Sequence, residues 1–283
     1  MSGFLSYVRR NPALGVGIGM LLFLLLFTTL GRLFVNPLHA YPLSVMPTQP
    51  PSAQYPFGTD VQGRDLLAVM VVGTGLTLQI GAIAGAIGLS VGIVLGFVAG
   101  YSGGVLDTVI TSVIDVYMSI PGFLILVLIA SIFSKVDLGV TEMGLIVSIV
   151  SWAGPARAIR AQVLSMRERP FVMMSKLSGM GTFEIIMKEL VPNLAPYLVM
   201  SLSQTVYGGL QASLGLEALG IGARREPTMG MTLYYVQYYS ALMLGMWWWV
   251  IEPIIVIVLV LTSLVMTSFG LDEIANPRRR KTV

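Results

Sequence analysis

Residues 66–106 read LLAVMVVGTGLTLQIGAIAGAIGLSVGIVLGFVAGYSGGVL and contain no charged side chain. A bilayer span needs about 20 consecutive apolar residues, so this stretch is long enough to cross a membrane. The run 143–156 is shorter, and it spans only if Glu142 and Arg157 lie at the two interfaces. Four further charge-free runs are as long as a span needs: 11–31, 116–134, 190–216 and 253–271.

The composition agrees with a membrane protein. Of 283 residues, 55% are hydrophobic and 11% are charged, against about 25% charged in a soluble domain. The chain has no cysteine, which excludes disulfides, thiolate ligands and cysteine nucleophiles. Its only histidine, His39, lies between prolines in a loop. The net charge of +3 indicates orientation in the membrane and not nucleic-acid binding, because the positive charges lie beside the spans.

The charge-free runs predict an all-α polytopic membrane protein. We expect the first helix to be retained; the alternative, a cleaved signal peptide, has a shorter apolar core. Pro121 and Pro253 are expected to kink the third and sixth helices. The six predicted transmembrane helices are 12–34, 71–100, 106–133, 140–162, 190–214 and 246–270.

Lysine and arginine predict the orientation of these six helices. Twelve of the 17 positive side chains fall on the side that carries both termini and the loop between helices four and five, and five fall on the other side. Positive charges concentrate on the cytoplasmic side. We therefore expect a multi-pass protein of the cell membrane with residues 1–11 and the basic tail 271–283 in the cytoplasm. Residues 35–70 form an extracellular loop.

Glycines of the second helix recur every four residues at Gly88, Gly92, Gly96 and Gly100. In lipid, such a stripe lets another helix approach closely. The partner helix is either in this chain or in a neighbouring subunit.

The segment 157–193 is the longest charged stretch of the chain and lies between two spans. It predicts a short helix over 171–178, a turn at Gly179 and Gly181, and a second short helix over 183–190 with Thr182 as its N-cap. Pro192 fits the first turn of helix five. Such a helix–turn–helix either inserts apolar residues into a partner's groove or only covers the inner ends of the helices.

This segment resembles the cytoplasmic loop of type I ABC importer permeases, whose pattern is Glu-Ala-Ala, three residues, Gly, then Ile/Leu-Leu-Pro. Gly179 and the run from Leu190 to Pro192 match it, whereas Met173, Met174 and Ser175 replace the Glu-Ala-Ala triplet. The resemblance implies a coupling helix that docks on an ATPase. The implied coupling-loop residues are Met173, Met174, Ser175, Leu177, Gly179, Gly181, Phe183, Leu190 and Pro192.

Nearly the whole chain is similar to the second, C-type permease of oligopeptide and dipeptide importers. Residues 57–65, FGTDVQGRD, match that subfamily's Gly-Thr-Asp-x-x-Gly-Arg-Asp. Its residues Gly58, Asp60, Gly63, Arg64 and Asp65 either pair locally to shape a loop or contact a docked binding protein. Residues 99–107 and 248–253 also match, whereas residues 228–231 lack the family's Trp before Gly.

The resemblance implies that residues 71–270 form a type I ABC transmembrane domain working by alternating access. The implied partners are a second homologous permease, two cytoplasmic ATPases and an extracellular or periplasmic binding protein. The chain has no Gly-x-x-x-x-Gly-Lys-Ser/Thr motif, so we expect it to be non-catalytic and to bind no cofactor itself. ATP and Mg²⁺ then belong to the partner ATPases. No metal site is expected.

Two other classes of protein fit the sequence less well. An ion-coupled secondary transporter favours ionisable residues at midplane and related halves, and an intramembrane hydrolase needs catalytic residues that the spans lack. Peptides are the first substrate candidate, with oligosaccharides, glucosides and nickel as alternatives carried by relatives. Polar residues of the spans that could line the cavity are Ser119, Ser148, Ser203, Gln204 and Gln211.

Overall fold

The computed structural model describes residues 8, 11–133 and 137–275. Within these ranges the chain is helical, without strands and with one isolated antiparallel bridge between Thr59 and Asp65. The π-helical turn Ile186–Leu190 joins the helices Thr182–Ile185 and Val191–Ala218. The helices are α1 (Pro12–Leu30), α2 (Leu66–Ser102), α3 (Gly104–Ser119), α4 (Gly122–Ile132), α5 (Val140–Ser148), α6 (Ala153–Arg167), α7 (Pro170–Leu177), α8 (Thr182–Ile185), α9 (Val191–Ala218), α10 (Met229–Tyr238) and α11 (Trp247–Ala275).

Among the described residues, four helical segments are long and apolar enough to cross a membrane: Pro12–Leu33, Leu66–Ser102, Thr182–Ala218 and Trp247–Asp272. A fifth is added if α3 and α4, which form a bent pair, are one span. The all-α, multi-pass architecture is therefore confirmed. The count of six spans stays a prediction.

All six predicted helices differ from the structure in their bounds. α1 ends at Leu30 and not at residue 34, α9 continues to Ala218 and not to 214, and α11 continues to Ala275 and not to 270.

The differences in the second, third and fourth helices have identifiable causes. The second begins at Leu66 and not at residue 71, because the Asp65 carboxylate accepts a hydrogen bond from the Leu67 amide (3.0 Å) and caps the helix there. The third, 106–133, is bent by 81° between α3 and α4, where Pro121 has no amide hydrogen to continue the ladder. The fourth, 140–162, is divided into two helices.

The predicted helix 140–162 is two helices, α5 and α6, separated by residues 149–152. Pro155 lies in the first turn of α6. Its ring and missing amide hydrogen are tolerated there but would disrupt a helix running through from α5. The break thus follows from a proline that the hydropathy pattern masks. By contrast, Pro253 lies inside α11, which remains one helix.

The helix α10 has no counterpart among the predicted helices. Its N-cap is Thr228, whose hydroxyl accepts a hydrogen bond from the Met231 amide (3.2 Å). With only ten residues it is shorter than a span. It follows α9 and packs against both α9 and α11.

The central helix α2 packs against α6 along the glycine stripe. A Cβ atom added at Gly92 would lie 2.7 Å from Pro155 Cβ, and one at Gly96 would lie 2.9 Å from the carbonyl oxygen of Ala156. Added Cβ atoms at Gly88 and Gly100 would meet Ser151 and Val163 as closely. All four glycines therefore face the α5–α6 turn and α6 of the same chain, where a side chain has no room.

Candidate functional site

The segment between α6 and α9, here called the 168–190 hairpin, turns sharply at Gly179. Gly179 has φ +82°, in the left-handed region that favours glycine. The Met180 amide donates to the carbonyl of Ser175 (3.1 Å) and the Gly179 amide to that of Lys176 (3.0 Å). These two bonds form a Schellman motif that ends α7. The turn that the sequence places at Gly179 is therefore built by its backbone.

One side of the hairpin is buried and anchors it. Val172, Ile185 and Leu190 are at most 1% exposed and belong to a cluster that includes Ile159 and Val163 of α6. The hairpin is therefore anchored to α6 by apolar contacts.

The other side leaves a row of large apolar side chains uncovered by the chain itself. Leu177 is 83% exposed and Phe183 is 76% exposed. Such an apolar surface on a projecting hairpin indicates an interaction site. We call this set the apolar loop surface; it comprises Met173, Met174, Leu177, Phe183 and Met187. Met173 and Met174, at the position of the family's Glu-Ala, are part of it.

Polar contacts fix the second arm of the hairpin. The Ser175 hydroxyl lies 3.2 Å from a Glu189 carboxylate oxygen, and the Asn193 amide donates to the Glu189 carbonyl (2.6 Å). Thr182 is the first residue of α8 and Gly181 is its N-cap, so the predicted Thr182 cap is wrong. Pro192 lies in the first turn of α9, where its missing amide hydrogen leaves no bond unmade.

Arginines of α6 connect the hairpin's supporting helix to α2 and α3. Arg160 forms two hydrogen bonds to Asp107 (2.5 and 2.7 Å), and Arg157 pairs with Asp115. Arg167 donates to the carbonyl of Gly100 at the end of α2 (3.0 Å), a favourable place for a cation. In the sequence, these arginines predict only the orientation in the membrane. Two features could have predicted the ion pairs: the spacing of the arginines along one helix, and the two aspartates eight residues apart.

The 58–65 motif forms a closed turn at the start of α2. The Asp60 carboxylate accepts from the Arg64 side chain (Nε, 2.5 Å) and from the Arg64 backbone amide (2.9 Å). Both residues are at most 2% exposed. Gly58 and Gly63 have φ near +70°, and an added Cβ on Gly63 would lie 2.6 Å from the carbonyl of Val45. The motif thus pairs internally.

Neighbouring groups complete the surroundings of this motif. The Arg64 guanidinium lies 5.2 Å from the centre of the Tyr235 ring. Burial raises the pKa of the Asp65 carboxyl above its ordinary value. Burial also raises the pKa of the Tyr41 hydroxyl, with a smaller contribution from the Glu226 carboxylate to which it donates (3.1 Å). Buried as they are, Asp60 and Arg64 offer no surface to a docked partner.

A further buried carboxyl, that of Glu217 on α9, faces α10 and is absent from the predicted site residues. Glu217 is 0% exposed and accepts a hydrogen bond from the Thr228 hydroxyl (2.9 Å). Gly230 approaches so closely that an added Cβ would lie 2.3 Å from the second carboxylate oxygen. The sequence offers one signal for this carboxyl, because Glu217 is the first charged residue after the charge-free run 190–216. The residues 228–231, where the chain departs from the family, thus close over Glu217.

A cavity of about 520 Å³ lies between the start of α4, the α5–α6 turn with α6, and the middle of α9. Of the five polar span residues named from the sequence, only Gln204 lines it. Ser119 and Ser148 bond to carbonyls of their own helices, and Gln211 donates to the Tyr207 hydroxyl (3.0 Å).

Apolar helices long enough to span a membrane and packed around α2 define this chain as a multi-pass membrane protein. The profile of the family "Binding-protein-dependent transport system inner membrane component" matches residues 92–281, and the chain belongs to this family. This confirms the resemblance to ABC importer permeases.

Two relatives from Bacillus subtilis (strain 168) indicate the subfamily. The dipeptide transport system permease protein DppC is 29% identical over 276 residues, which are 97% of this chain and 84% of that protein. The oligopeptide transport system permease protein OppC is 24% identical over 76% of this chain and 69% of its own length.

A solved structure shares the fold. An inward-facing structure of the MetNI methionine ABC transporter aligns with a TM-score of 0.53 at 20% identity, covering 74% of this chain and 95% of that chain. At this identity the likeness is one of fold alone.

Proposed function

We propose that this chain is one of two permease subunits of an ATP-driven peptide importer of the cell membrane. The observation that carries the proposal is the 168–190 hairpin, which combines a buried anchor with an exposed apolar surface in a chain of this family. A non-catalytic membrane subunit needs such a surface, because the energy of ATP must reach it from a partner.

The coupling follows from how the hairpin is held. ATPase closure would push on the apolar loop surface, and the buried contacts of Val172 and Ile185 would pass the displacement to α6. Since α6 is packed against the glycine stripe and paired with α3, it would move with α2 and α3 as one body. The mechanism thus needs rigid contacts and no chemistry in this chain.

The partners follow from the same proposal. They are a second homologous permease, two cytoplasmic ATPases that bind ATP and Mg²⁺, and a binding protein outside the membrane. Both termini and the hairpin lie in the cytoplasm, as the distribution of lysine and arginine predicts. The 58–65 motif then lies on the outer side.

Peptides are the proposed substrate because two relatives are named for dipeptide and oligopeptide transport. No observation on this chain favours oligosaccharides, glucosides or nickel. An ion-coupled secondary transporter is not favoured either, given the family match.

The test is reconstitution of the complete transporter, with the second permease, the ATPases and the binding protein. Proteoliposomes loaded with ATP on the ATPase side should accumulate labelled dipeptide only when the binding protein is present on the other side. Accumulation without ATP or without this chain would contradict the proposal.

A further inference from the structure

The cavity beside Gln204 differs from the packed parts of the bundle. Added Cβ atoms at Gly122, Gly154 and Gly208 would meet no atom within 4 Å, in contrast to those of the glycine stripe. These three glycines line the cavity and none has a positive φ. Neither packing within this chain nor backbone conformation explains them. Their effect is to keep the cavity wide.

Among the described residues, most polar side chains of the cavity wall interact within the chain. The hydroxyls of Ser151 and Thr205 donate to carbonyls of their own helical segments (2.8 and 2.7 Å), and the Tyr197 hydroxyl interacts with Ser201 one turn further along α9. The exposed Gln204 amide has no hydrogen-bond partner among the described residues. Its carbonyl and NH₂ therefore remain available to a bound molecule.

The position and charge of this amide restrict what it can bind. Gln204 lies midway along α9, within the candidate span Thr182–Ala218. A polar side chain at such depth is costly unless it faces a partner or an aqueous path. None of the described residues that line the cavity is charged. The wall thus offers hydrogen bonds without selecting a charge.

An extended peptide has the matching chemistry. The N–H and C=O of one residue in an extended chain point to the same side, as they do in an antiparallel ladder. A glutamine amide can accept from the first and donate to the second. The volume of about 520 Å³ lies within the range of small-molecule sites.

We propose that this cavity is the passage for the peptide substrate and that Gln204 binds the peptide main chain within it. The inference rests on the proposed function and adds a substrate-binding residue to it. Because the main chain is common to all peptides, this site contributes affinity without reading side chains.

The test uses the complete transporter in proteoliposomes and compares Gln204→Leu with wild type for uptake of neutral, acidic and basic dipeptides. Loss of one or two hydrogen bonds should raise KM by about 3- to 10-fold. The factor should be the same for all three substrates. Gln211→Leu is the matched control, because its amide already donates to Tyr207 and lies outside the cavity. It should leave KM unchanged.

A second variant tests the passage itself. Gly208→Leu fills open space, so it should leave assembly of the complex intact and reduce the maximal uptake rate by more than about 10-fold. Loss of co-purification with the second permease would instead identify the cavity as a subunit contact and overturn the proposal.

These outcomes are separable from failure of the proposed function. If wild type takes up no dipeptide, the proposed function fails. If wild type transports and both Gln204→Leu and Gly208→Leu transport equally well, only the assignment of this cavity fails. A KM change confined to charged substrates would also contradict main-chain binding.

Discussion

The Ser175 hydroxyl lies 3.2 Å from a carboxylate oxygen of Glu189 and so connects α7 to the π-helical turn before α9. The two residues stand on opposite arms of the 168–190 hairpin. Ser175 occupies the last position of the family's Glu-Ala-Ala triplet, which this chain replaces. Without the triplet's glutamate, the hairpin still has a polar contact between its arms.

The variant Ser175→Glu places a like charge beside Glu189 and should separate the two arms. A decrease of about 1.4 kcal/mol in the free energy of local opening corresponds to about 10-fold faster amide exchange over residues 176–190. Hydrogen exchange followed by mass spectrometry measures it. Ser178→Glu is the control, since the Ser178 hydroxyl bonds to Met174 and not to Glu189. Equal exchange in both variants would show that the contact does not hold the hairpin.

Removing Asp60 should be strongly destabilising. Asp60→Ala leaves Arg64 buried without its carboxylate partner, a change that costs about 3–5 kcal/mol. Asp137→Ala breaks the ion pair with Arg225. The side chains of Asp137 and Arg225 are 63% and 79% exposed, so this substitution should cost at most about 1 kcal/mol. Thermal unfolding of the purified protein in detergent compares the two. Similar midpoints would mean that the 58–65 motif contributes little to stability.

Alanine substitutions at Gly96, inside the glycine stripe, and at Gly19, outside it, should have different effects on stability. Gly96→Ala should destabilise by about 1–3 kcal/mol, because the new methyl group meets Ala156 and Ile159 at 2.9 Å. Gly19→Ala on α1 enters open space and should be neutral or stabilising by about 0.5–1 kcal/mol. Unfolding midpoints that shift in the same direction would contradict the packing of α2 on α6.

Glu217 and Thr228 should be energetically coupled. Thr228→Ala leaves the buried Glu217 carboxyl without its hydroxyl donor, and Glu217→Ala leaves the Thr228 hydroxyl proton without its acceptor. The double-mutant cycle should therefore give a coupling energy of about 0.5–3 kcal/mol. Pairing Glu217→Ala with Thr205→Ala gives a control cycle, since Thr205 lies three turns away on α9 and bonds to Ser201. That cycle should be additive. Coupling energies of the same size in both cycles would contradict a specific contribution of the Glu217–Thr228 contact to stability.

The sequence predicts the elements that depend on interactions between residues close together in the chain. Charge-free runs define the long helices, and Gly179 with its neighbours predicts a turn because a positive φ there favours glycine. The missed features depend on particular bonds. Asp65 starts α2 five residues earlier than the predicted helix 71–100, and Pro155 divides a helix that hydropathy alone shows as continuous.

Other parts of the candidate site depend on tertiary contacts that no periodicity records. The ion pair between Arg160 and Asp107 joins residues 53 positions apart, and Glu217 meets Thr228 only because α10 folds back on α9. The distinction between Gln204 and Gln211 is of the same kind. Both are amides in an apolar span, and only the structure shows that one is bonded and the other faces a cavity.

Docking of the apolar loop surface on the ATPases is best tested at Leu177, its most exposed member on α7. The decisive measurement is the amount of ATPase that co-purifies with the permease pair carrying Leu177→Asp, with Leu177→Met as the matched control. Because Leu177 is 83% exposed, the aspartate should not disturb folding. We expect Leu177→Asp to lose most of the bound ATPase and of ATP-dependent uptake, whereas Leu177→Met should retain both. Wild-type levels of ATPase and uptake in Leu177→Asp would contradict it.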